Sequence, residues 1–240
     1  MEGIRLVLFD LDDTLLYFDD YWKRSMYESF ESYPLTQGIG MDRLFPVFLE
    51  KDELFHEQWL SGVIDGGEFR RLRFIHTLAE FNISTGAEEA EAFERWFWTV
   101  RAPYIPHDPL LIERLKRWGE VYQLGILTNG TSEDQYDKLR RMGLDGLFTK
   151  SNVFVSDELG TAKPKPDAYR ITASRMGFKP VETLFVGDSW MNDVIGPMQA
   201  GMRAVWLNRG NKPVPDEPVP EAVIGHLEEL EHLLLHKMNN

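Results

Sequence analysis

The run Leu6-Val7-Leu8-Phe9, followed at once by Asp10 and Asp12, constrains this chain more than any other stretch. Four apolar residues without polar alternation read as a strand buried on both faces, the kind found inside parallel sheets. In extended backbone, carboxylates at i and i+2 share a face. The carboxyl ends of strands in open α/β sheets are where ligands bind. Two acids there can ligate a hard cation, and one can also serve as a nucleophile. The competing account is that Asp12, Asp13 and Thr14 merely form a turn and cap a following helix. The rest of the chain has to decide between them.

Three further apolar runs end in chemistry-bearing residues. Gln123 to Leu127 leads into Thr128-Asn129-Gly130-Thr131-Ser132, a hydroxyl, an amide and a glycine ahead of a helical pattern, where free backbone N–H groups favour anions. Gly160 to Asp167 sets Lys163 and Lys165 between prolines, with a helix predicted to begin at or just after Pro166. Leu184-Phe185-Val186-Gly187 runs into Asp188 and Asp193, acids spaced i, i+5. Acids at the ends of two separate strands read as one divided cation site. Strands are also predicted at Val153 to Val155 and Ala204 to Leu207. Helices are predicted around Leu111 to Trp118, Tyr136 to Met142, Tyr169 to Met176 and Leu227 to Leu235, with a proline-rich surface loop over Asn211 to Pro220. This β-α alternation predicts a doubly wound, Rossmann-like parallel sheet of five strands.

Taken in order, Asp10-x-Asp12-x-Thr14, Thr128, Lys163 and Gly187-Asp188-x-x-x-x-Asp193 resemble the four motifs of the haloacid dehalogenase-like (HAD) hydrolase superfamily. The likeness spans Ile4 to Thr14 and about Asp108 to Leu207. The wording around Asp10, Thr128 and Val205-Trp206-Leu207-Asn208 is most similar to its nucleotidase-like and sugar-phosphatase-like members with a helical cap. The resemblance implies a Mg²⁺-dependent phosphatase acting through an aspartyl phosphate. Asp10 would be the nucleophile and Asp12 the general acid and base. Asp10, the Asp12 carbonyl and Asp188 would be metal ligands, with Asp193 behind them orienting a metal water or Lys163. Thr128, Asn129, Gly130 and Lys163 would hold phosphate. Lys163 is preferred over Lys165 because the family's lysine precedes the first proline of such a segment.

Between the first motif and the next strand, residues 17–105 show only helical spacing, as in Met41, Leu44, Phe45 and Phe48 and again in Phe93, Trp96, Phe97 and Val100. The resemblance makes this insert a cap domain and residues 1–16 with 106–240 the core. Nineteen of the chain's thirty aromatic residues lie in the insert. Most are expected to form its core; Phe18, Tyr21, Trp22 and Trp59 are the candidates to face a cleft and stack on a base, which makes nucleoside 5′-monophosphates the first substrate to test. Arg70, Arg71 and Arg73, and Glu88, Glu89, Glu91 and Glu94, read as solvated faces.

Composition narrows the function. The chain lacks cysteine, so any metal ligands are oxygen or histidine. His56, His76 and His107 stand alone, without a second histidine at metal spacing. A net charge of −13 disfavours long nucleic acid, whose binding rests on many basic contacts. No run of 18 apolar residues is present and Met1 to Arg5 leads straight into a strand, so neither a signal peptide nor a membrane partner is expected and the cytoplasm is the predicted compartment. The expected partner is a small phosphate ester, with the chain a monomer or homodimer. Within the same superfamily a phosphomutase would keep every residue named above. A 2-haloacid dehalogenase would have no need of Asp12 or of the Asp188 and Asp193 pair. A non-catalytic binding protein would be expected to have lost part of the acid set.

Overall fold

The computed structural model describes residues 1–235, the side chains of 18–20 and 60 excepted. In chain order its elements are β1 (Leu6–Phe9), α1 (Phe18–Ser32), α2 (Met41–Leu60), α3 (Gly66–Ala79), α4 (Ala87–Arg101), α5 (Pro109–Gly119), β2 (Gln123–Thr128), α6 (Ser132–Arg141), β3 (Val153–Val155), α7 (Ser156–Leu159), α8 (Pro166–Arg175), β4 (Thr183–Gly187), α9 (Gly196–Gln199), β5 (Arg203–Leu207), β6 (Ala222–Ile224) and α10 (Leu230–Leu235). A π-helical turn, Trp190–Ile195, joins β4 to α9. The chain falls into two compact units, Met1–Phe18 with Pro106–Asn240, and Asp19–Ile105.

The first unit is built on one parallel sheet in the order β3-β2-β1-β4-β5-β6. All four residues of β1 are fully buried because both faces are covered. Leu6 and Leu8 pack with Phe154, Tyr169, Ala173 and Phe185 on one side. Phe9, turned the other way by the strand's twofold period, stacks on Trp118 of α5 with ring centroids 5.9 Å apart. Gly125 of β2 is required by close approach. A Cβ there would lie 2.7 Å from the Met176 sulfur, 2.9 Å from Leu8 and 3.1 Å from the Asn152 carbonyl oxygen.

The sheet has six strands where the sequence pattern predicts five. The extra strand, β6, comes after the proline-rich segment and pairs Val205 with Ala222 and Leu207 with Ile224. With three residues, Ala222 to Ile224, it is too short to show alternation, and only the edge of β5 selects it. The final helical segment begins with a 3₁₀ turn at Leu227–Glu229 before α10.

Helix starts follow local chemistry. Asp108 caps α5 by accepting from the N–H groups of Leu110 and Leu111 at 3.0 and 3.1 Å, with Pro109 in the first turn. Pro166 likewise stands in the first turn of α8, there without a side-chain cap.

The described residues of the second unit are helical or irregular, with no strand among them. Its core is aromatic: Phe93 lies 4.4 Å from Phe74 and 4.5 Å from Phe30, and Phe30 lies 4.8 Å from Phe48, centroid to centroid. Trp22 sits against Phe48, and Trp59 stacks on Phe69, so both candidate stacking residues have ring partners within this unit. Tyr21 is buried. The side chain of Phe18, the remaining candidate, lies outside those described.

The basic and acidic stripes are not simply solvated faces. Arg73 is buried, paired with Asp52 at 2.6 Å and Glu94 at 3.4 Å, its guanidinium over the rings of Phe48 and Phe69. Arg70 and Arg71 reach Glu94 and Glu91. An arginine inside an aromatic core needs such partners, because its charge cannot be shed.

Candidate active site

Strands β2, β1 and β4 are neighbours, and their carboxyl ends deliver Thr128, Asp10 and Asp188 to one place. This is the middle of the sheet, where the connections reverse direction and a crevice opens. Asp10 follows β1 directly, its N–H donating to the Val186 carbonyl at 3.0 Å. Its carboxylate accepts from Lys163 Nζ at 2.7 Å, and the same ammonium donates to Asp193 at 2.7 Å. Asp10, Asp188 and Asp193 each place an oxygen within 4.8 Å of the others.

Three acids around one lysine leave excess negative charge in a buried place. Burial pushes the Asp10 carboxyl well above the usual carboxylate range; Lys163 opposes the shift and the charges of Asp193 and Asp188 add to it. Burial, with the charges of Asp193 and Asp13, pushes Asp188 up to about 7. Burial alone would lower Lys163, but Asp10 and Asp193 hold it protonated above the ordinary lysine range. A divalent cation relieves such crowding, and three carboxylates are the hard donors that Mg²⁺ prefers.

Each member is braced. Asp193 is fully buried; its other oxygen accepts from the Ser189 N–H at 2.9 Å, and its side chain fills the space a Cβ on Gly187 would take. The Asp188 carbonyl accepts from the Trp206 indole at 2.7 Å. Asn129 grips the lysine segment from both sides, donating to the Lys163 carbonyl and accepting from the Lys163 N–H, each at 3.0 Å. Lys165 is exposed, whereas Lys163 is buried and ion-paired.

The Gly130 N–H, expected to meet phosphate, donates to Ser156 Oγ at 3.0 Å and is engaged within the protein. Gly130 has φ of 143°, and a Cβ there would strike Gln135.

The second acid is placed differently from the first. Asp12 is paired with Lys138 of α6 at 2.8 Å and accepts from Gln135 Nε2 at 3.3 Å. Gln135 also accepts from the Thr128 hydroxyl at 3.2 Å. Arg209, after β5, donates to the Asp13 and Thr14 carbonyls at 3.0 and 3.1 Å and lies over the Tyr17 ring. Neither Gln135, Lys138 nor Arg209 stands in any motif. The only sequence signal for the first two is their i, i+3 spacing on one helix face.

The family profile of the haloacid dehalogenase-like hydrolases matches residues 4–201. The chain belongs to that family. Phosphoserine phosphatase of Thermus thermophilus is 31% identical over 252 residues, covering 95% of this chain and 98% of the relative. Pyrimidine 5′-nucleotidase YjjG of Escherichia coli is 27% identical over 229 residues, covering 95% and 96%. The crystal structure of the HAD-hydrolase YfnB of Bacillus subtilis, bound to magnesium, superposes with a TM-score of 0.77 at 27% identity, covering 97% of this chain and 99% of that one. This HAD-like chain is therefore a hydrolase, on a parallel α/β sheet with an inserted helical unit. Among its described residues no helix is long and apolar enough to cross a membrane.

Proposed function

We propose that this hydrolase cleaves small phosphomonoesters with Mg²⁺, through an aspartyl phosphate on Asp10. The observation that carries the reading is Asp10 itself, at the end of a central strand, bonded to Lys163 and within 4.8 Å of two further acids. Asp10, the Asp12 carbonyl and Asp188 would hold the cation, with Asp193 bracing Lys163 beside it. When bound, the cation supplies charge that stabilises the phosphoryl oxygens.

In the first half-reaction an Asp10 oxygen bonds to phosphorus as the ester P–O bond breaks, and Asp12 gives its proton to the departing alkoxide. In the second, water attacks phosphorus, Asp12 takes the water's proton, and the Asp10–phosphorus bond breaks to free inorganic phosphate. The Thr128 hydroxyl and the Asn129 main-chain N–H would hold phosphoryl oxygens while Lys163 offsets their charge. A dehalogenase would need neither Asp12 nor the acid pair after β4, so the residues present favour phosphoryl transfer.

The helical unit, residues 17–105 in this reading, would select the ester. Its candidate stacking residues Trp22 and Trp59 have ring partners of their own. A pyrimidine nucleotide thus ranks beside phosphoserine and sugar phosphates as a substrate to be tested, not ahead of them. The test is hydrolysis of 4-nitrophenyl phosphate with Mg²⁺, with excess chelator, and with Asp10→Asn, followed by a phosphomonoester panel. Activity that needs the cation and disappears in Asp10→Asn is expected; full activity after chelation, or near-native turnover by Asp10→Asn, would overturn the reading. Trapping of the phosphoryl group by a sugar hydroxyl instead of water would make the chain a phosphomutase.

A further inference from the structure

Next to the acid cluster lies a lysine that the reaction as written does not use. Lys138, on α6, is 2% exposed. A lysine on a helix ordinarily stretches its stem along the surface and leaves its ammonium in water, and burying the charge is unfavourable unless it is well paired. Asp134, one turn earlier and itself partly buried, pairs with it at 3.0 Å. The same ammonium also donates to both oxygens of Asp12, at 3.0 and 2.8 Å, across 126 residues of sequence. Gln135, one turn before it and also buried, donates to Asp12 with its amide nitrogen and receives the Thr128 hydroxyl on its amide oxygen. One face of α6 thus joins the second acid of the first strand's loop to the hydroxyl at the end of β2.

We propose that Lys138 and Gln135 are positioning residues for Asp12, and that through Gln135 the arrival of phosphate at Thr128 releases Asp12 for proton transfer. This rests on the phosphatase reading and names the machinery behind its acid and base. The Thr128 hydroxyl has one proton to donate. Once it donates to a phosphoryl oxygen, the Gln135 amide oxygen loses that donor. The amide can then turn away from Asp12. Lys138 keeps its hold through a flexible four-carbon stem, which lets the carboxyl swing toward the leaving oxygen without drifting from it. No further proton moves: the only transfers are Asp12 to alkoxide and water to Asp12.

Leaving-group dependence separates this role from simple support of the fold. 4-Nitrophenolate leaves with little need of a proton, whereas an alkoxide cannot leave well without one, so misplacing Asp12 should harm an alkyl phosphate selectively. The experiment measures kcat/KM on 4-nitrophenyl phosphate and on an alkyl phosphate for the native protein, Lys138→Met, Lys138→Arg, Gln135→Leu, Asp12→Asn and the Asp12→Asn, Lys138→Met pair. Each melting temperature is measured alongside. General acid–base catalysis contributes about 10²–10⁴-fold, so Lys138→Met should lose at least about tenfold more on the alkyl ester than on the aryl ester. Lys138→Arg should regain most of that loss. Gln135→Leu, removing one hydrogen bond to each side, should shift the ratio the same way by about fivefold. In the Asp12→Asn background Lys138→Met should add no further leaving-group effect, since nothing is left to position.

Equal losses on both esters, or further selective loss in the double variant, would overturn the positioning role. If Lys138→Met does not fold, Lys138→Arg and Gln135→Leu decide, and unchanged ester ratios in both would overturn it equally. A native protein inert on both esters with Mg²⁺ would instead sink the phosphatase reading, and this role with it.

Discussion

Asp10 and Asp12 are two residues apart yet stand in opposite settings. Asp10 is buried against Lys163 and two acids, while Asp12 is drawn toward α6 by Lys138. In the proposed reaction these separate environments would go with separate roles, Asp10 in attack and Asp12 in proton transfer. Asp12→Asn should therefore still accept the phosphoryl group on Asp10 but lose about 10²–10⁴-fold in turnover, with aspartyl phosphate persisting after rapid quench; loss of the intermediate itself would shift the nucleophilic role to Asp12. The cation should leave its own mark on stability. Asp188 titrates at about 7 in the folded chain against an ordinary 3.8, so between those values the folded, cation-free state holds a proton that the unfolded chain has released. Stability then falls as pH rises through that window. A divalent ion needs the proton gone. Mg²⁺ should therefore raise the melting temperature more at pH 8 than at pH 5, and an equal or larger rise at pH 5 would remove Asp188 from the ligand set.

The elements that carry these residues are held by close packing, and Gly125 is where that can be measured. A methyl group on Gly125 would press on Met176 and Leu8, whose side chains can shift, and on the Asn152 carbonyl, which is main chain. Gly125→Ala should cost about 1–3 kcal/mol, as overpacking of a filled core does, read as a lower urea midpoint with an unchanged slope. A neutral outcome would mean that β2 and β3 can part by a few tenths of an ångström. The same packing explains which parts of the fold could be seen in the sequence. Strands β1 and β4 are continuous apolar runs because both their faces are buried, and Asp10 and Asp188 are visible because they break those runs. Strand β6 is not visible, since its three residues follow a proline-rich loop and are chosen by the free edge of β5. Lys138 and Gln135 are hidden for another reason: on a helix as polar as Ser132–Arg141 nothing local marks which polar side chains turn inward. Only the packing of α6 against the loop of Asp12 reveals them.

At the scale of the whole chain, two cores of different character are joined through two crossings. The α/β unit buries aliphatic strands between helices, and it contributes every residue of the acid cluster, Lys163 and Asp12. The helical unit buries a cluster of phenylalanines around a paired arginine. If catalysis belongs to one and substrate selection to the other, damage to the helical core should leave the cation site intact. Phe93 is the place to test this, because it is 2% exposed and meets the rings of Phe30, Tyr33 and Phe74. Phe93→Ala should cost the helical unit about 3–5 kcal/mol, the usual loss for a large aromatic removed from a core. Hydrogen exchange should then quicken across residues 19–105, while β1, β2 and β4 keep their protection and Mg²⁺ still adds to it at the native midpoint concentration. Faster exchange throughout both units, or a displaced Mg²⁺ midpoint, would show that the two cores open as one cooperative body. In that case the helical unit could not be exchanged or reshaped for new substrates without disturbing the cation site.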